Sequence, residues 1–350
     1  MVQIGLIGYG YWGPNLARNF TGIPECQLTR ICDLSGERRA RAQQSFPQAQ
    51  VTEYVEDLLD DSALDAVVVA TPVQTHFALA KASLLAGKDV LIEKPLTRTS
   101  QEAMELIQLA EDKQRLIAVD HTFLFTGAVR KMKQLVDDGD LGEITYIDSV
   151  RINLGLFQND VNVLYDLAPH DLSIAFYLLD QKPLSVQAMG ACHAGNRIEN
   201  IGYLHLEFAN NVIAHFHFNW LSPVKIRRTL IGGSKKMIVY DDMDPTEKVK
   251  VYDSGIVITP GNVESAHRVY IDYRTGDMVA PKLDREEALK AEAVHFVSCV
   301  RNRTRPLADG WSGLQIVQVL EAAQRSIQSG GQRVSCAPVV PFAAPLRRAA

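Results

Sequence analysis

Strand-like and helix-like patterns of apolar residues alternate through the first 120 residues of the chain. Residues 2–7 form a short apolar run, and residues 64–70 form a β-branched run typical of a buried parallel strand. A helix is predicted over 75–86, and Gly87 suits the position just after its end. The alternation predicts a parallel sheet with helices on both faces. Further strands are predicted at 27–32, 88–93 and 116–119, and further helices at 37–46 and 100–113.

The pattern changes after this region. One helix over 127–138 precedes a series of alternating strands, and one helix, Pro169–Leu179, interrupts that series. The strands predict a second, α+β domain with a large, mostly antiparallel open sheet. These strands are 144–154, 184–191, 202–208, 212–220, 228–232 and 237–241, followed by helices at 286–301 and 311–329.

The fold class is therefore α/β, with a doubly wound domain of Rossmann type followed by the α+β domain. We place the first domain at 1–122, the substrate-binding and oligomerisation domain at 123–336 and a tail at 337–350. The last helix, 311–329, is expected to pack back on the first domain.

Composition narrows the function classes. The 350 residues are 47% hydrophobic and 22% charged, which is typical of a globular protein with a large core. A net charge of −5 gives no basic field for nucleic acid, and no apolar run reaches membrane-spanning length. The five cysteines are scattered without a C-x-x-C pair, which disfavours zinc and disulfides and predicts a cytoplasmic protein.

Glycines follow the first apolar run at Gly8-x-Gly10-x-x-Gly13. In a strand-turn-helix unit, Gly8 permits the tight turn, Gly10 lets the backbone approach a pyrophosphate, and Gly13 lets helix and strand pack closely. Pro14 suits a first helical position, and the helix N-terminus presents N–H groups to an anion. A glycine turn without a ligand is the alternative. The strand before, the helix after and an acidic residue about twenty positions on favour a dinucleotide.

That acidic residue is Asp33, at the end of the run 27–32. Its carboxylate can accept hydrogen bonds from the adenosine ribose hydroxyls and would repel a 2′-phosphate, so NAD is favoured over NADP. Arg38 and Arg39 keep NADP open because they offer partners to a phosphate. A solvated helix face is the alternative for Arg38.

Lys94 lies one position past a strand end, after Glu93 and before Pro95, which disfavours α conformation for it. The turn falls on the same sheet edge as the glycine turn and as Thr71 and Pro72, and ligands of α/β sheets bind at this edge. An ammonium there would stabilise the alkoxide that develops as hydride leaves carbon. A plain exposed turn lysine is the alternative.

Asp166 and His170 complete the candidate chemistry. If the helix begins at Pro169, His170 lies in its first turn, where the helix dipole disfavours imidazolium. A neutral imidazole is the base that oxidation of a hydroxyl to a ketone needs. Asp166 is expected to orient the ring or to contact the sugar. A capping aspartate and a core histidine are the alternative, and the presence of Lys94 favours catalysis.

Four motifs occur together in one order: the glycine turn, Ala70-Thr71-Pro72-x-x-x-His76, Glu93-Lys94-Pro95 and Asp166-Leu-Ala-Pro-His170. With them the chain resembles the glucose-fructose oxidoreductase, inositol dehydrogenase and rhizopine catabolism (Gfo/Idh/MocA) family over most of its length. The Glu-Lys-Pro and Asp-x-x-x-His motifs are the specific part. Among the subgroups it most resembles the enzymes that oxidise the C3 hydroxyl of nucleotide sugars.

The resemblance implies roles for single residues. Thr71 and Pro72 would line the nicotinamide ribose with His76 nearby, although His76 can also be a helix-start histidine without a ligand. Glu93 would hold the ribose, and Lys94 would touch both ribose and substrate hydroxyl, with the bond to Pro95 often cis. Sugar contacts are implied, with surface positions as the alternative, for Arg151, Asn153, Asn162 and Tyr165. The cofactor set is Gly8, Gly10, Tyr11, Trp12, Gly13, Asp33, Arg38, Thr71, Pro72, His76, Glu93, Lys94 and Pro95, and the catalytic set is Lys94, Asp166 and His170.

The resulting hypothesis is NAD-dependent oxidation of the C3 hydroxyl of a nucleotide-linked hexose or its uronic acid. A 3-keto-sugar reductase and an inositol or free-sugar dehydrogenase are the enzymatic alternatives. A non-catalytic dinucleotide sensor is the more distant one.

Assembly is predicted from the strand over 212–220. Its residues alternate without any charge other than histidine, so one face of the open sheet is expected to pack in a homodimer or homotetramer. The aromatic residues Phe216, Phe218 and Trp220 are expected at that interface. His205, His215 and His217 lack a carboxylate to complete a ligand set, so no metal is predicted.

Overall fold

The structure is a computed structural model that describes residues 1–155, 161–193, 195, 197–259 and 270–336. The predicted tail, 337–350, lies outside the described residues. The first 120 residues form a parallel six-stranded sheet in the order β3-β2-β1-β4-β5-β6. Its strands are β1 (Val2–Ile7), β2 (Cys26–Cys32), β3 (Gln50–Thr52), β4 (Ala66–Val69), β5 (Asp89–Ile92) and β6 (Ile117–Val119), and its helices are α1 (Gly13–Thr21), α2 (Gly36–Ser45), α3 (Glu56–Leu59), α4 (Val73–Leu85) and α5 (Ser100–Asp112).

This sheet confirms the predicted Rossmann arrangement. The strand order reverses between β1 and β4, and the crevice beyond their carboxyl ends is where doubly wound sheets bind ligands. The Thr99 side chain caps α5 by accepting a hydrogen bond from the Glu102 N–H, and Gly87 has φ +75° just past α4. The short β3 and α3 were not predicted, because three or four residues are too few to show a period.

The second sheet has nine strands in the order β16-β13-β12-β11-β7-β10-β9-β8-β17. Its pairings are antiparallel except for β7 with β10, so the sheet is mixed but mostly antiparallel. A separate hairpin joins β14 to β15. The elements are α6 (Gly127–Asp137), β7 (Ile144–Leu154), α7 (Val163–Leu179), β8 (Ser185–Ala191), β9 (Ile201–Glu207), β10 (Ile213–Asn219), β11 (Leu221–Gly233), β12 (Met237–Asp241), β13 (Val249–Tyr252), β14 (Gly255–Thr259), β15 (Tyr270–Arg274), β16 (Met278–Val279), α8 (Ala288–Asn302), α9 (Gly310–Gln328) and β17 (Val334–Ser335), with short 3-10 turns at Thr122–Phe125 and Ala209–Asn211.

Helix α7 corrects one prediction. It begins at Val163, capped by the Asn162 side chain, and contains Pro169 in its interior rather than at its start. Pro169 has no N–H for the Tyr165 carbonyl, a loss that normally weakens a helix. The buried side chains of Leu164 and Leu172, on either side of the proline, pack into the core and keep the helix continuous.

The two late helices connect the sheets. Phe296 of α8 packs edge to face on Phe20 of α1, with ring centroids 6.3 Å apart. Helix α9 carries two buried stripes: Leu314 and Val317 lie in the core beside the first sheet, and Val319 lies in the core of the second. A helix buried on two sides fixes the geometry of both sheets around it.

The two faces of β10 differ. Ala214, Phe216 and Phe218 are fully buried on the face towards α7, whereas Ile213 and His215 lie on the opposite, partly exposed face. Trp220 is also buried within the chain. The expectation that Phe216, Phe218 and Trp220 lie at a subunit interface is therefore wrong, because the chain's own core covers them.

Candidate active site

The glycine turn leaves room for a ligand at one glycine and none at the other two. Gly8 has φ +98°, and a Cβ there would lie 2.4 Å from the Ala70 carbonyl oxygen. A Cβ on Gly13 would lie 2.3 Å from the Gly8 carbonyl oxygen, so helix and strand approach as closely as backbones can. Gly10 is open except for the Arg38 side chain at 3.6 Å. Its backbone is therefore accessible to a pyrophosphate, as a dinucleotide-binding turn requires.

Asp33 stands at the end of β2, beside this turn. Its carboxylate is buried and accepts hydrogen bonds from the backbone N–H groups of Tyr9 (2.7 Å) and Ser35 (2.8 Å). Arg38 Nη1 lies 3.7 Å from its Oδ2, and the Arg38 side chain remains about half exposed. Both oxygens keep lone pairs for ribose hydroxyls. The aromatic side chains of Tyr11 and Trp12 stand exposed at the tip of the turn.

His76 connects two turns of this sheet edge. It is 1% exposed, and its ring nitrogens lie 2.9 Å from the Pro95 carbonyl oxygen and 2.8 Å from the Thr71 carbonyl oxygen. Burial lowers its pKa, so the ring is neutral and one nitrogen donates. The contacts hold the turn after β4, including Pro72, against the turn after β5. The Lys94–Pro95 bond in that second turn is cis.

Lys94 reaches from the first sheet edge to helix α7. Its Nζ donates to the backbone carbonyl of Asp166 at 2.8 Å and to Asp166 Oδ1 at 3.2 Å. The other carboxylate oxygen of Asp166 accepts from the buried Trp220 indole N–H at 3.1 Å. Asp166 therefore orients Lys94.

His170 lies four residues after Asp166, on the same face of α7. Its ring packs edge to face on Phe123, with centroids 5.1 Å apart, and its buried Nδ1 has no hydrogen-bond partner. Burial, and then the positive charges of Lys94 and Arg151, lower its pKa well below the usual value. The imidazole is neutral for this reason and not through a helix N-terminus, since α7 begins at Val163.

The structure gives the four residues with implied sugar contacts different surroundings. Arg151 is 3% exposed and paired with Asp171 Oδ2 at 2.5 Å. Asn162 caps α7, and its amide donates to side chains on two other segments. Tyr165 is largely buried, which raises its pKa to about 12. Asn153 follows Arg151 on the same face of β7 and is half-buried.

Three carboxyl groups are buried together near Lys94. From the sequence, Glu93 is expected only as a ribose contact, and the other two are not identified. Glu93 is 8%, Asp120 4% and Glu292 3% exposed, and neither oxygen of Glu292 receives a hydrogen bond from a donor. Burial and then Asp120 raise the pKa of both Glu93 and Glu292 well above the usual value. Asp120 accepts from the Thr122 hydroxyl. Asp120 is thus the shared neighbour that acts on both glutamates.

His121, next to Asp120, was also missed. It is 1% exposed, neither ring nitrogen has a partner, and burial followed by the Lys94 charge lowers its pKa to about 3. A signal for Glu292 was present in the sequence, since it lies at an apolar position of a helix whose neighbours are alanines. His121 follows a strand end and had no comparable signal.

Within the part of the chain that the structure describes, no three histidine, cysteine, aspartate or glutamate side chains are grouped so as to hold a metal ion. Among the same residues, no helix has both the length and the apolar character needed to cross a bilayer.

Comparison with known proteins bears on this geometry. Residues 2–121 match the model of an oxidoreductase family with an NAD-binding Rossmann fold, and residues 129–239 match a GFO/IDH/MocA C-terminal domain. UDP-N-acetylglucosamine 3-dehydrogenase of Acidithiobacillus ferrooxidans is 25% identical over 95% of this chain and 99% of its own. Inositol 2-dehydrogenase 2 of Saccharopolyspora erythraea is 26% identical over 99% of each chain.

A solved structure with the same fold is GenD2 from gentamicin A biosynthesis in complex with NAD. Its TM-score is 0.81 at 22% identity, with 96% of this chain and 97% of that chain covered. The predicted NAD cofactor agrees with the family description and with the open backbone at Gly10. The chain belongs to the GFO/IDH/MocA family of oxidoreductases with an NAD-binding Rossmann fold.

Proposed function

We propose that this protein oxidises the C3 hydroxyl of a nucleotide-linked hexose or its uronic acid. The contact between Lys94 and Asp166 carries the proposal. It joins the sheet edge that receives the cofactor to the helix that bears His170. A cation and an imidazole whose pKa is lowered thereby lie close together, as removal of a hydroxyl proton and a hydride requires.

The chain's own residues divide the work. NAD, when bound, accepts the hydride from the carbon. His170 takes the hydroxyl proton, and Lys94 binds the oxygen and stabilises its developing negative charge. Asp166 holds Lys94 in place, and Arg151, fixed by Asp171, adds positive charge nearby. These groups serve reduction of a ketone equally well, so they do not set the direction.

The similarity to the UDP-N-acetylglucosamine 3-dehydrogenase over nearly both full chains supports the nucleotide sugar and the C3 position. Inositol oxidation is the second candidate, because an inositol 2-dehydrogenase is equally similar over the same length. The division at residue 122 and the roles of the sugar-contacting residues also stay predictions.

Nicotinamide absorbance distinguishes these candidates. The full chain with NAD is offered a nucleotide-linked hexose, the matching hexuronic acid, an inositol and free glucose. We expect NADH to form with a nucleotide sugar, and the product to carry a ketone at C3. Turnover of inositol alone would select the second candidate. Tight NAD binding without turnover of any of these compounds would point to a sensor.

We further propose that the outer face of the nine-stranded sheet forms a homodimer or homotetramer contact. On this face Tyr203 stacks on His217 with centroids 4.4 Å apart, and Met189 and Ile213 are substantially exposed. Light scattering of the full chain at low concentration is expected to give a multiple of the monomer mass. Placing a charge there by His217→Arg should dissociate it, and an active wild-type monomer would contradict the proposal.

A further inference from the structure

Two arginines from neighbouring strands meet beside the candidate base. Arg227 of β11 is paired directly with Arg151 of β7, so both side chains leave the same face of the sheet. Their guanidinium carbons lie 6.0 Å and 4.6 Å from the centroid of the Phe123 ring. The edge-to-face contact of Phe123 with His170 brings this positive pair next to the proposed reaction site.

The two arginines are compensated to different degrees. Arg151 is buried and makes a two-point ion pair with its own carboxylate, Asp171. The nearest Arg227 nitrogen is 3.4 Å from Asp242 Oδ2, at the limit of a hydrogen bond, and Lys248 takes the other oxygen of Asp242 at 2.8 Å. The single carboxylate of Asp242 thus pairs with both Arg227 and Lys248.

Arg227 also retains donor capacity. Its Nε is buried and has no hydrogen-bond partner, while its side chain as a whole is 31% exposed. A buried donor left unpaired is costly, and like charges directly opposite in a sheet are destabilising. A guanidinium offers a planar fork of donors that matches the oxygens of a carboxylate or a phosphate. A bound anion would offset the unfavourable charge of the two opposed arginines and would use the donor capacity of Arg227.

We propose that Arg227 is an anion subsite of the active site that binds a carboxylate or phosphate oxygen of the sugar substrate. The assignment of this anion to a substrate rests on the proposed function. The two sources of the oxygen are the carboxylate of a hexuronic acid and the diphosphate of the nucleotide.

The subsite has a consequence for the base. Burial, and after it the charges of Lys94, Arg151, His121 and Arg227, lower the pKa of His170, which makes the imidazole a weaker proton acceptor. An anion bound at Arg227 offsets part of this positive charge. The substrate would then strengthen the base at the moment when it is needed.

The test measures binding by calorimetry with the full chain saturated with NADH. The probes are a uridine diphosphate hexuronic acid, the matching uridine diphosphate hexose, free hexuronic acid and inorganic pyrophosphate. Arg227→Gln is compared with Arg228→Gln, which removes the same charge from the adjacent, exposed residue on the opposite face. Arg227→Lys tests whether charge without the fork suffices.

We expect Arg227→Gln to lower the binding affinity for the anionic probes by about tenfold to a hundredfold, as for loss of a charge-assisted hydrogen bond. A loss of affinity confined to the two hexuronic acids would identify the carboxylate as the group that Arg227 binds. A loss of affinity shared by both nucleotide sugars and pyrophosphate would identify the phosphate. NADH affinity and the Arg228→Gln variant should be unchanged.

Equal binding of every anionic probe by wild type and Arg227→Gln, including no binding at all, would overturn the subsite. Failure of the proposed function has a separate readout, because it appears as wild-type protein that forms no NADH with any nucleotide sugar. A second readout is the acid limb of the pH profile of turnover, measured with the substrate that the activity assay identifies. Loss of the Arg227 charge should move that limb to higher pH, and Arg228→Gln should not.

Discussion

The cofactor turn and the proposed reaction site are built in opposite ways. Around Gly8 the geometry is set by backbone sterics, within a strand, a turn and a helix that follow one another in the chain and against the Ala70 carbonyl just past β4. Around His170 it is set by charges from the turn after β5 and from β7, α7 and β11, which only the folded chain brings together. The first site should fail through strain, and the second through lost charge with the fold intact.

The largest expected effect is at the turn. Gly8→Ala places a Cβ against the Ala70 carbonyl at a positive φ, so we expect a loss of about 2–6 kcal/mol in the free energy of unfolding and loss of NAD binding. Gly87→Ala is the matched control, since it has positive φ but no atom within 4 Å. Denaturant unfolding and NAD titration measure both. A Gly8→Ala variant as stable as the Gly87→Ala control would contradict the steric explanation.

At the reaction site, Lys94→Ala and His170→Asn should cut turnover by about a hundredfold or more, since each removes a positioned charge or proton acceptor. NAD affinity and stability should stay near wild type, in contrast to the Gly8 variant. Lys81→Ala, at an exposed ion pair, is the control. Wild-type turnover by either variant on the true substrate would make that residue structural.

Asp33 tests whether charge also matters on the cofactor side. Asp33→Ala should narrow the preference for NAD over NADP by about tenfold or more, because the like charge facing a 2′-phosphate is gone. Asp33→Asn removes the charge and keeps an acceptor oxygen for one of the two N–H groups, Tyr9 or Ser35, so denaturant unfolding is measured beside it to separate the effect of charge from that on folding. Glu25→Gln, at the other end of β2, is the control. Tighter wild-type binding of NADP(H) than of NAD(H) in a titration would contradict the assignment.

The smallest expected effect concerns the buried acids behind Lys94. The pKa of Glu292 is raised in the folded protein, so the folded state holds a proton that the unfolded state releases above about pH 4.3. Stability is therefore lost as pH rises from there through the raised pKa. Glu292→Gln should be more stable than wild type by about 1 kcal/mol or more at pH 8.

That difference should shrink as the pH falls towards 4. Urea unfolding across pH measures it, with Glu286→Gln as the exposed control. A constant difference at all pH values would mean that Glu292 does not hold a proton. Infrared spectra of the protein without cofactor should also show a protonated-carboxyl band that is weaker in Glu292→Gln than in wild type, since the pKa of Glu93 is raised as well.

The sequence determined the features that depend on neighbours in the chain. The glycine spacing, the β-branched run at β4, the Thr99 cap of α5 and the Asp-x-x-x-His spacing were readable because helix and strand periods and turn sterics act over a few residues. The family resemblance added the grouping of Lys94 with Asp166 and His170 in one catalytic set, which no local pattern contains.

Only the tertiary structure decided the electrostatics. The sequence placed His170 at the start of a helix, but packing on both sides of Pro169 lets α7 begin at Val163. The pKa of His170 is therefore lowered by burial and by neighbouring cations, and not by the helix dipole. The different surroundings of Arg151 and Arg227, and the burial of Glu292 near Asp120, likewise come from residues far apart in the chain. A pKa depends on desolvation and on charges within a few ångströms, and the sequence order does not record which side chains meet at that distance.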